Sequence, residues 1–219
     1  MSKTAIITAG GMGKRMESAI PKQFLLLKGK PLLCWTIQRF YDFDSNLQII
    51  VSLPKEWMQY WKDTCQENQF DIPHQVVEGG KERFHSIQNA LRLAQGDVIA
   101  IHDGVRPLIS QALIQRGFET ARLKGSAVPV IGLKESIREV NDAASFAVPR
   151  ANYRIVQTPQ TFQKEVVLKA YQQDFEQNMT DDACLIERLG MSVELIEGES
   201  QNIKVTDPVD FALAEILLK

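Results

Sequence analysis

The sequence predicts an α/β fold, a mostly parallel sheet with helices on both faces, and three observations predict it. Short β-rich runs alternate with longer stretches of helical period along most of the chain, the βαβα order that a parallel sheet requires. The first run, Lys3 to Thr8, reads as a strand buried on both faces. With 219 residues, 44% hydrophobic and 24% charged, the chain is long enough to enclose one sizeable core and has the composition of an ordinary globular protein.

The elements follow in order. After the Lys3–Thr8 strand, Pro31 to Asp42 reads as a helix with Pro near its first turn, and Gln48 to Ser52 as a second strand. Trp57 to Asn68 has helical period. Gln75 to Val77, Val98 to His102 and Ala127 to Val130 supply further strands, with helices expected over Phe84 to Ala94 and Gln111 to Lys124. Thr206-Asp207-Pro208 provides an N-cap followed by Pro in the first turn, so a last helix is predicted over Val209 to Leu218. One region breaks the alternation: Glu135 to Val140 and Phe146 to Pro149 flank Asn141-Asp142-Ala143, so residues 133–150 read as a β-hairpin. Such an arm could reach a neighbouring chain or pack on its own domain. Residues 1–219 are otherwise expected to form a single domain.

Charge and composition exclude several function classes. A formal net charge of −2 supplies no global basic field, which argues against a nucleic-acid binder and against electrostatic membrane attachment. Anionic ligands must then be held by local cations. Cys34, Cys65 and Cys184 are odd in number and far apart, and His74, His85 and His102 are equally scattered, so zinc and structural disulfides are not expected. The apolar stretch Ala5-Ile6-Ile7 is too short for a signal-peptide core, no later run spans a bilayer, and the expected location is the cytoplasm.

Chemistry begins at the end of the first strand, with Thr8-Ala9-Gly10-Gly11-Met12-Gly13-Lys14-Arg15-Met16. Gly10, Gly11 and Gly13 let the backbone turn tightly and bring N–H groups close to an anion, while Lys14 and Arg15 add charge. Glycines at βα turns also serve packing alone. A dinucleotide fingerprint starting at Gly11 fails, since Met16 occupies its third glycine position and no acid follows the second strand. A Walker-type loop fails too, because Arg15 stands where Ser or Thr must follow Gly13-Lys14.

Pro21-Lys22-Gln23 lies close enough for a returning loop to aim Lys22 at the same place. His102-Asp103-Gly104-Val105-Arg106-Pro107 sets an acid, a glycine turn and an arginine at the carboxyl end of a strand, where open α/β sheets bind ligands. Asp103 could steer a metal and Arg106 hold a phosphate; alternatively the two form a salt bridge that stiffens the loop. Gly79-Gly80 and Ser86 open the helix before that strand, and Asn202-Ile203-Lys204-Val205-Thr206 brings a further cation on an expected strand.

Thr8 to Arg15, Pro21-Lys22-Gln23, His102 to Pro107, Thr158-Pro159-Gln160, Thr180-Asp181 and Asn202 to Thr206 occur in the order and spacing of a known family. The chain resembles the 2-C-methyl-D-erythritol 4-phosphate cytidylyltransferases of the non-mevalonate isoprenoid pathway over almost its whole length. The resemblance implies a Rossmann-like sheet, a homodimer locked by exchanged hairpin arms, and Mg²⁺-dependent transfer from CTP to a small sugar-alcohol phosphate with release of pyrophosphate. By position it implies that Arg15, Lys22 and Lys204 surround the triphosphate and that Ala9, Gly10, Gly80 and Ser86 face the cytosine. Gly11 and Gly13 belong to the same nucleotide loop. Asp103, Gly104 and Arg106 would lie along the ribose and substrate side, with Asp103 the one candidate Mg²⁺ contact. Arg150, Thr158 and Thr180 would bind the acceptor, Arg150 reaching across from the other subunit. Gly10 and Gly104 replace alanines of the usual pattern, and Lys81 stands where an acid is frequent.

The missing catalytic base is consistent with this chemistry. A phosphomonoester with a second pKa of about 6 is largely ionised at neutral pH and needs no Ser/His/Asp or Cys/His arrangement to activate it. Ribitol 5-phosphate cytidylyltransferase shares the glycine loop, the Lys22 motif and the last lysine, with Thr180-Asp181 favouring methylerythritol phosphate. A catalytically silent nucleotide-binding module is the alternative outside enzymes.

Overall fold

A computed structural model describes residues 1–11, 20–142 and 144–218. Its main sheet has eight strands in the order β10 (Arg154–Val156), β7 (Ser126–Gly132), β11 (Gln160–Gln163), β6 (Val98–Asp103), β1 (Lys3–Thr8), β4 (Gln48–Leu53) and β5 (Gln75–Glu78), with β12 (Leu195–Glu197) paired to β7. The first four along the chain are β1, β4, β5 and β6, all mutually parallel. The register sets Ile6 beside both Ile50 and Ile101, so one row of branched side chains faces each helical layer. Ala5, Ile7, Ile49 and Val51 pack under α1 (Leu32–Phe43), α2 (Lys55–Glu67) and α4 (Gln111–Lys124). Ile6, Ile50, Ile99 and Ile101 pack under α3 (Arg83–Leu91), α5 (Lys164–Ala170) and α6 (Asp182–Glu187). Burial on both faces is why these strands read as unbroken apolar runs.

The other end of the sheet is mixed. β11 runs antiparallel to both β6 and β7, β10 is antiparallel to β7, and β12 is parallel to it. None of β10, β11, β12, α5 or α6 was among the expected elements; each is short, from three to seven residues, and too brief to develop a period. The predicted arm is present as β8 (Ile137–Val140) and β9 (Ser145–Val148), paired only with each other.

α7 (Pro208–Leu217) starts as expected, with the Asp207 side chain accepting from the Asp210 N–H and Pro208 in the first turn. A small hairpin, β2 (Leu26–Leu27) and β3 (Lys30–Pro31), packs Leu27 with Val105, Val205 and Ala214 of α7. The stretch Asn202–Thr206 is not the strand expected of it. It is irregular backbone anchored at 2.9 Å by Val205 N–H to the carbonyl of Val105, a loop residue after β6 that offers it one bond in place of a strand ladder.

Candidate functional site

The loops leaving β1, β5 and β6 are each stitched by their first amide to the carboxyl end of a neighbouring strand before they diverge. Ala9 N–H donates to the Ser52 carbonyl (3.0 Å), Gly79 N–H to the Leu53 carbonyl (2.7 Å) and Gly104 N–H to the Thr8 carbonyl (2.8 Å). Above these bonds, at the carboxyl ends of the strands, lies an open cavity of about 550 Å³. Of the residues singled out from sequence, Ala9, Gly10, Gly11, Lys22, Gly80, Ser86, Asp103 and Lys204 line it. Arg15 and Gly13 lie outside the described residues.

Two of the glycine positions differ sharply. A Cβ on Gly80 would come within 2.3 Å of His85 Cβ, so the chain can pass there only as glycine. That close approach lets the Gly80 N–H donate to Ser86 Oγ at 3.0 Å, while the same hydroxyl donates to the Glu82 carbonyl at 3.1 Å. A Cβ on Gly10 would meet nothing within 4 Å among the described residues, and at Gly104 a methyl would meet Leu33 Cδ1 at 3.0 Å.

Asp103 organises the cationic wall. Its Oδ2 lies 3.2 Å from Arg106 Nε and 3.1 Å from Lys204 Nζ, and its Oδ1 lies 3.9 Å from Arg83 Nε. Burial raises the carboxyl's pKa, but Arg83, Lys204 and Arg106 together outweigh burial and hold it well below the usual carboxylate range. Lys204 is half exposed and reaches into the cavity, whereas Arg106 points away: its Nη1 donates to the Asn202 carbonyl at 2.7 Å. Arg106 is therefore the loop-stiffening partner of Asp103 and is not among the cavity-lining residues.

Lys22 sits on a single 3₁₀ turn, Lys22–Phe24, only 8% exposed at the cavity wall. The turn is fixed by Gln23, whose Nε2 donates to the Ala9 carbonyl at 2.7 Å, and by Phe24 packed among Trp57, Tyr60 and Trp61. Asp210 faces Lys22 from α7; burial raises the Asp210 pKa, but hydrogen bonds from the Thr206 hydroxyl and amide, with the Lys22 charge, lower it overall.

Three expected acceptor contacts are not at this cavity in the single chain. Thr158 is buried, its hydroxyl between the Asp103 N–H (3.1 Å) and His102 Nδ1 (3.0 Å). His102 Nε2 faces the Arg106 carbonyl at 3.3 Å, so that nitrogen carries the ring proton and Nδ1 accepts the Thr158 proton. Burial pushes the His102 pKa down to about 4, keeping the ring neutral. Thr158 thus positions Asp103 from behind. Thr180 is exposed just before α6, and Arg150 is exposed after the hairpin, with its guanidinium on the Lys134 carbonyl.

Sequence reading missed Arg83 and Asp182. Arg83 lines the cavity and forms a two-pronged pair with Asp182 (2.6 and 2.7 Å). Nothing in the string Lys81-Glu82-Arg83 distinguishes that arginine from a solvated one, because its partner is 99 residues away.

Among the described residues, no cluster of three or more His, Cys, Asp or Glu side chains could enclose a metal ion. The donor set nonetheless fits Mg²⁺ bound mainly through phosphates, since the close ion pairs of Asp103 fall on Oδ2 while Oδ1 lies 3.9 Å from Arg83 Nε, and Mg²⁺ commonly takes one carboxylate plus phosphate oxygens and waters. No helix is long and apolar enough to cross a membrane among the described residues.

Residues 3–219 match the family model for 2-C-methyl-D-erythritol 4-phosphate cytidylyltransferase. A protein of that name from Bacteroides fragilis is 45% identical over 219 residues, covering all of both chains, and one from Bacteroides thetaiotaomicron is 43% identical over the same span. The crystal structure of the Thermus thermophilus protein of that name is 32% identical with a TM-score of 0.81, covering 99% of this chain and 98% of the other. The 4-diphosphocytidyl-2C-methyl-D-erythritol synthase of Anaerococcus prevotii is 26% identical with a TM-score of 0.84, covering 99% and 96%.

Proposed function

The chain belongs to the 2-C-methyl-D-erythritol 4-phosphate cytidylyltransferase family, and from that membership we propose how its residues join CTP to 2-C-methyl-D-erythritol 4-phosphate. The reaction gives CDP-methylerythritol and pyrophosphate and serves isoprenoid precursor synthesis. The observation that carries the residue assignment is a single cavity lined by Lys22 and Lys204, from opposite ends of the sequence, beside the amides that follow β1 and β5.

A phosphate oxygen of the acceptor attacks the α-phosphorus of CTP; a new P–O bond forms, the α–β bridging P–O bond breaks, and the electron pair leaves with pyrophosphate. The protein's part is to position two polyanions and offset their repulsion. Two unit charges 4 Å apart interact by about 4 kcal/mol at an effective dielectric near 20, a magnitude of roughly a thousandfold in rate. Lys22, Lys204 and, outside the described residues, Arg15 take that role. Ala9, Gly10, Gly11 and Gly13 wrap the nucleotide, and Gly80 and Ser86 face the cytosine. Asp103 and Gly104 lie on the ribose side; Arg106 and Thr158 serve the acceptor by holding Asp103 and its loop. Mg²⁺ bound by Asp103 and the phosphates would supply further charge neutralisation.

Arg150 and Thr180 complete the acceptor site in a homodimer, Arg150 entering from the arm of the other subunit. Supporting this reading, the arm and its neighbouring edge leave Val140 (74%), Phe146 (55%) and Ile155 (49%) exposed. We read residues 1–219 as one domain carrying the arm 133–150. We place it in the cytoplasm, as suits free thiols at Cys34, Cys65 and Cys184.

Incubation with CTP, Mg²⁺ and either methylerythritol or ribitol phosphate, followed by pyrophosphate release, tests the function. Methylerythritol phosphate should be the faster acceptor; faster release with ribitol 5-phosphate would overturn the assignment. Lys22→Ala and Lys204→Ala should each lower turnover about a thousandfold or more with the fold intact. Near-normal turnover would remove that lysine from the reacting centre.

A further inference from the structure

We propose that Tyr171, Asp182 and Arg83 form a positioning chain that sets Asp103, and through it Lys204, against the reacting phosphate. The chain runs from the core to the cavity. Tyr171, 4% exposed and stacked on Phe84 at 4.9 Å, donates its hydroxyl to Asp182 Oδ1 at 2.5 Å. Both Asp182 oxygens then take the two ends of the Arg83 guanidinium, at 2.6 and 2.7 Å, leaving the Arg83 Nε directed at Asp103 Oδ1.

The arrangement divides the oxygens of Asp103. Oδ2 holds Arg106 and Lys204, and Oδ1 faces Arg83. A cation on each side fixes the rotation of the carboxylate, and Lys204 Nζ is placed with it. An unclamped arginine could not do this, because a long side chain on the cavity wall would exchange among rotamers. The planar fork against a carboxylate removes that freedom, which a lysine at position 83 could not reproduce.

Stability is a weak explanation for the pair. Asp182 has no exposed side-chain surface, and the cost of desolvating a buried ion pair commonly matches or exceeds its attraction. What the pair does, at the cavity side of a shared apolar cluster, is join two elements that the proposed reaction must hold at fixed separation. Arg83 is the first residue of α3, directly after the Gly79–Gly80 loop, and Asp182 is the first of α6, directly after Thr180-Asp181. The start of α6 is also tied to β11, with Gln160 Nε2 on Asp181 and Gln160 Oε1 accepting from the Ala183 N–H. The nucleotide loop and the acceptor-side turn are thereby braced against each other.

This inference rests on the function proposed above, and its test separates the two. Turnover, KM for each substrate and thermal midpoint are measured for wild type, Asp182→Asn, Arg83→Lys, Arg83→Met and Tyr171→Phe. We expect Asp182→Asn and Arg83→Met to lower kcat per folded molecule about 10- to 100-fold with the CTP KM changed less than about threefold. Arg83→Lys should recover only part of the loss, and Tyr171→Phe should cost about two- to fivefold, as expected for an outer link. Wild-type kcat per folded molecule in Asp182→Asn or Arg83→Met, with only the thermal midpoint lowered, would overturn the positioning role and leave the function standing. Should Asp182→Asn fail to fold, equal kcat in Arg83→Met and wild type would overturn it just as well. A wild-type enzyme that turns over no acceptor would sink the function and this inference together.

Discussion

The two ends of the main sheet are built on different terms. β1, β4 and β6 are covered by helices on both faces and leave Ile6, Ile50 and Ile101 with no accessible surface. At the other end, β10 has no buried residue and β12 one, while Ile155, Val156 and Leu195 stand 40–54% exposed beside an arm that is mostly exposed. The parallel end completes its core within one chain. The mixed end presents apolar surface whose natural cover is another protein surface, and the proposed acceptor residue Arg150 lies at that end. On the proposed function, nucleotide binding then belongs to the parallel end and assembly to the mixed one.

Substitutions at the two ends break or sharpen that contrast. Ile6→Ala, at the parallel end, should destabilise the protein by about 2–5 kcal/mol, since it empties a fully enclosed site. Ile155→Ala should change the unfolding free energy of dilute protein by less than about 0.5 kcal/mol while weakening self-association measured by sedimentation. Equal losses of stability in the two variants would remove the distinction.

Acid should attack the seam between the ends, where His102 on β6 meets Thr158 next to β11. The folded pKa of about 4 lies below the ordinary 6.5, so the unfolded chain binds the extra proton between those values. Stability is then fully present above pH 6.5 and declines as pH falls through 4, by roughly 3 kcal/mol for a shift of that size. His102→Asn should flatten the dependence of the thermal midpoint over that window; an unchanged slope would assign the loss to other groups.

The smallest expected effect separates two glycines at the parallel end. Gly10→Ala should alter stability by only a few tenths of a kcal/mol and leave CTP affinity within a few fold, since its Cβ meets nothing within 4 Å among the described residues. Gly80→Ala must displace the start of α3, and calorimetry should show CTP affinity reduced at least tenfold. Indistinguishable affinities would show that the Gly80 turn is not part of the nucleotide site.

What could be read from sequence follows the same division. β1 and α4 have the boundaries expected of them, β4 and β6 run one residue further at their carboxyl ends, and α1 is shifted by one residue, because periodic segments carry their own signal. α7 was equally legible through Asp207 and Pro208, whose capping chemistry is local. The short elements between 151 and 200 were not legible. β11 is four residues long and exists because β6 and β7 leave a gap that it fills in both directions.

The sequence by itself determined the parallel βαβ core, the hairpin arm and the placing of glycine-rich and cationic motifs at strand ends, since each depends on residues adjacent in the chain or spaced at a regular period. Family resemblance added which motifs belong together. Only the tertiary structure decided the partners of the charges: that Arg106 turns inward to Asp103 and Asn202, that the Thr158 proton goes to His102, and that Arg83 is held by Asp182 at the cavity wall. Apart from the local Asp103–Arg106 pair, these pairings span 56 to 99 positions and are set by how the helices and loops pack, so no local pattern encodes them.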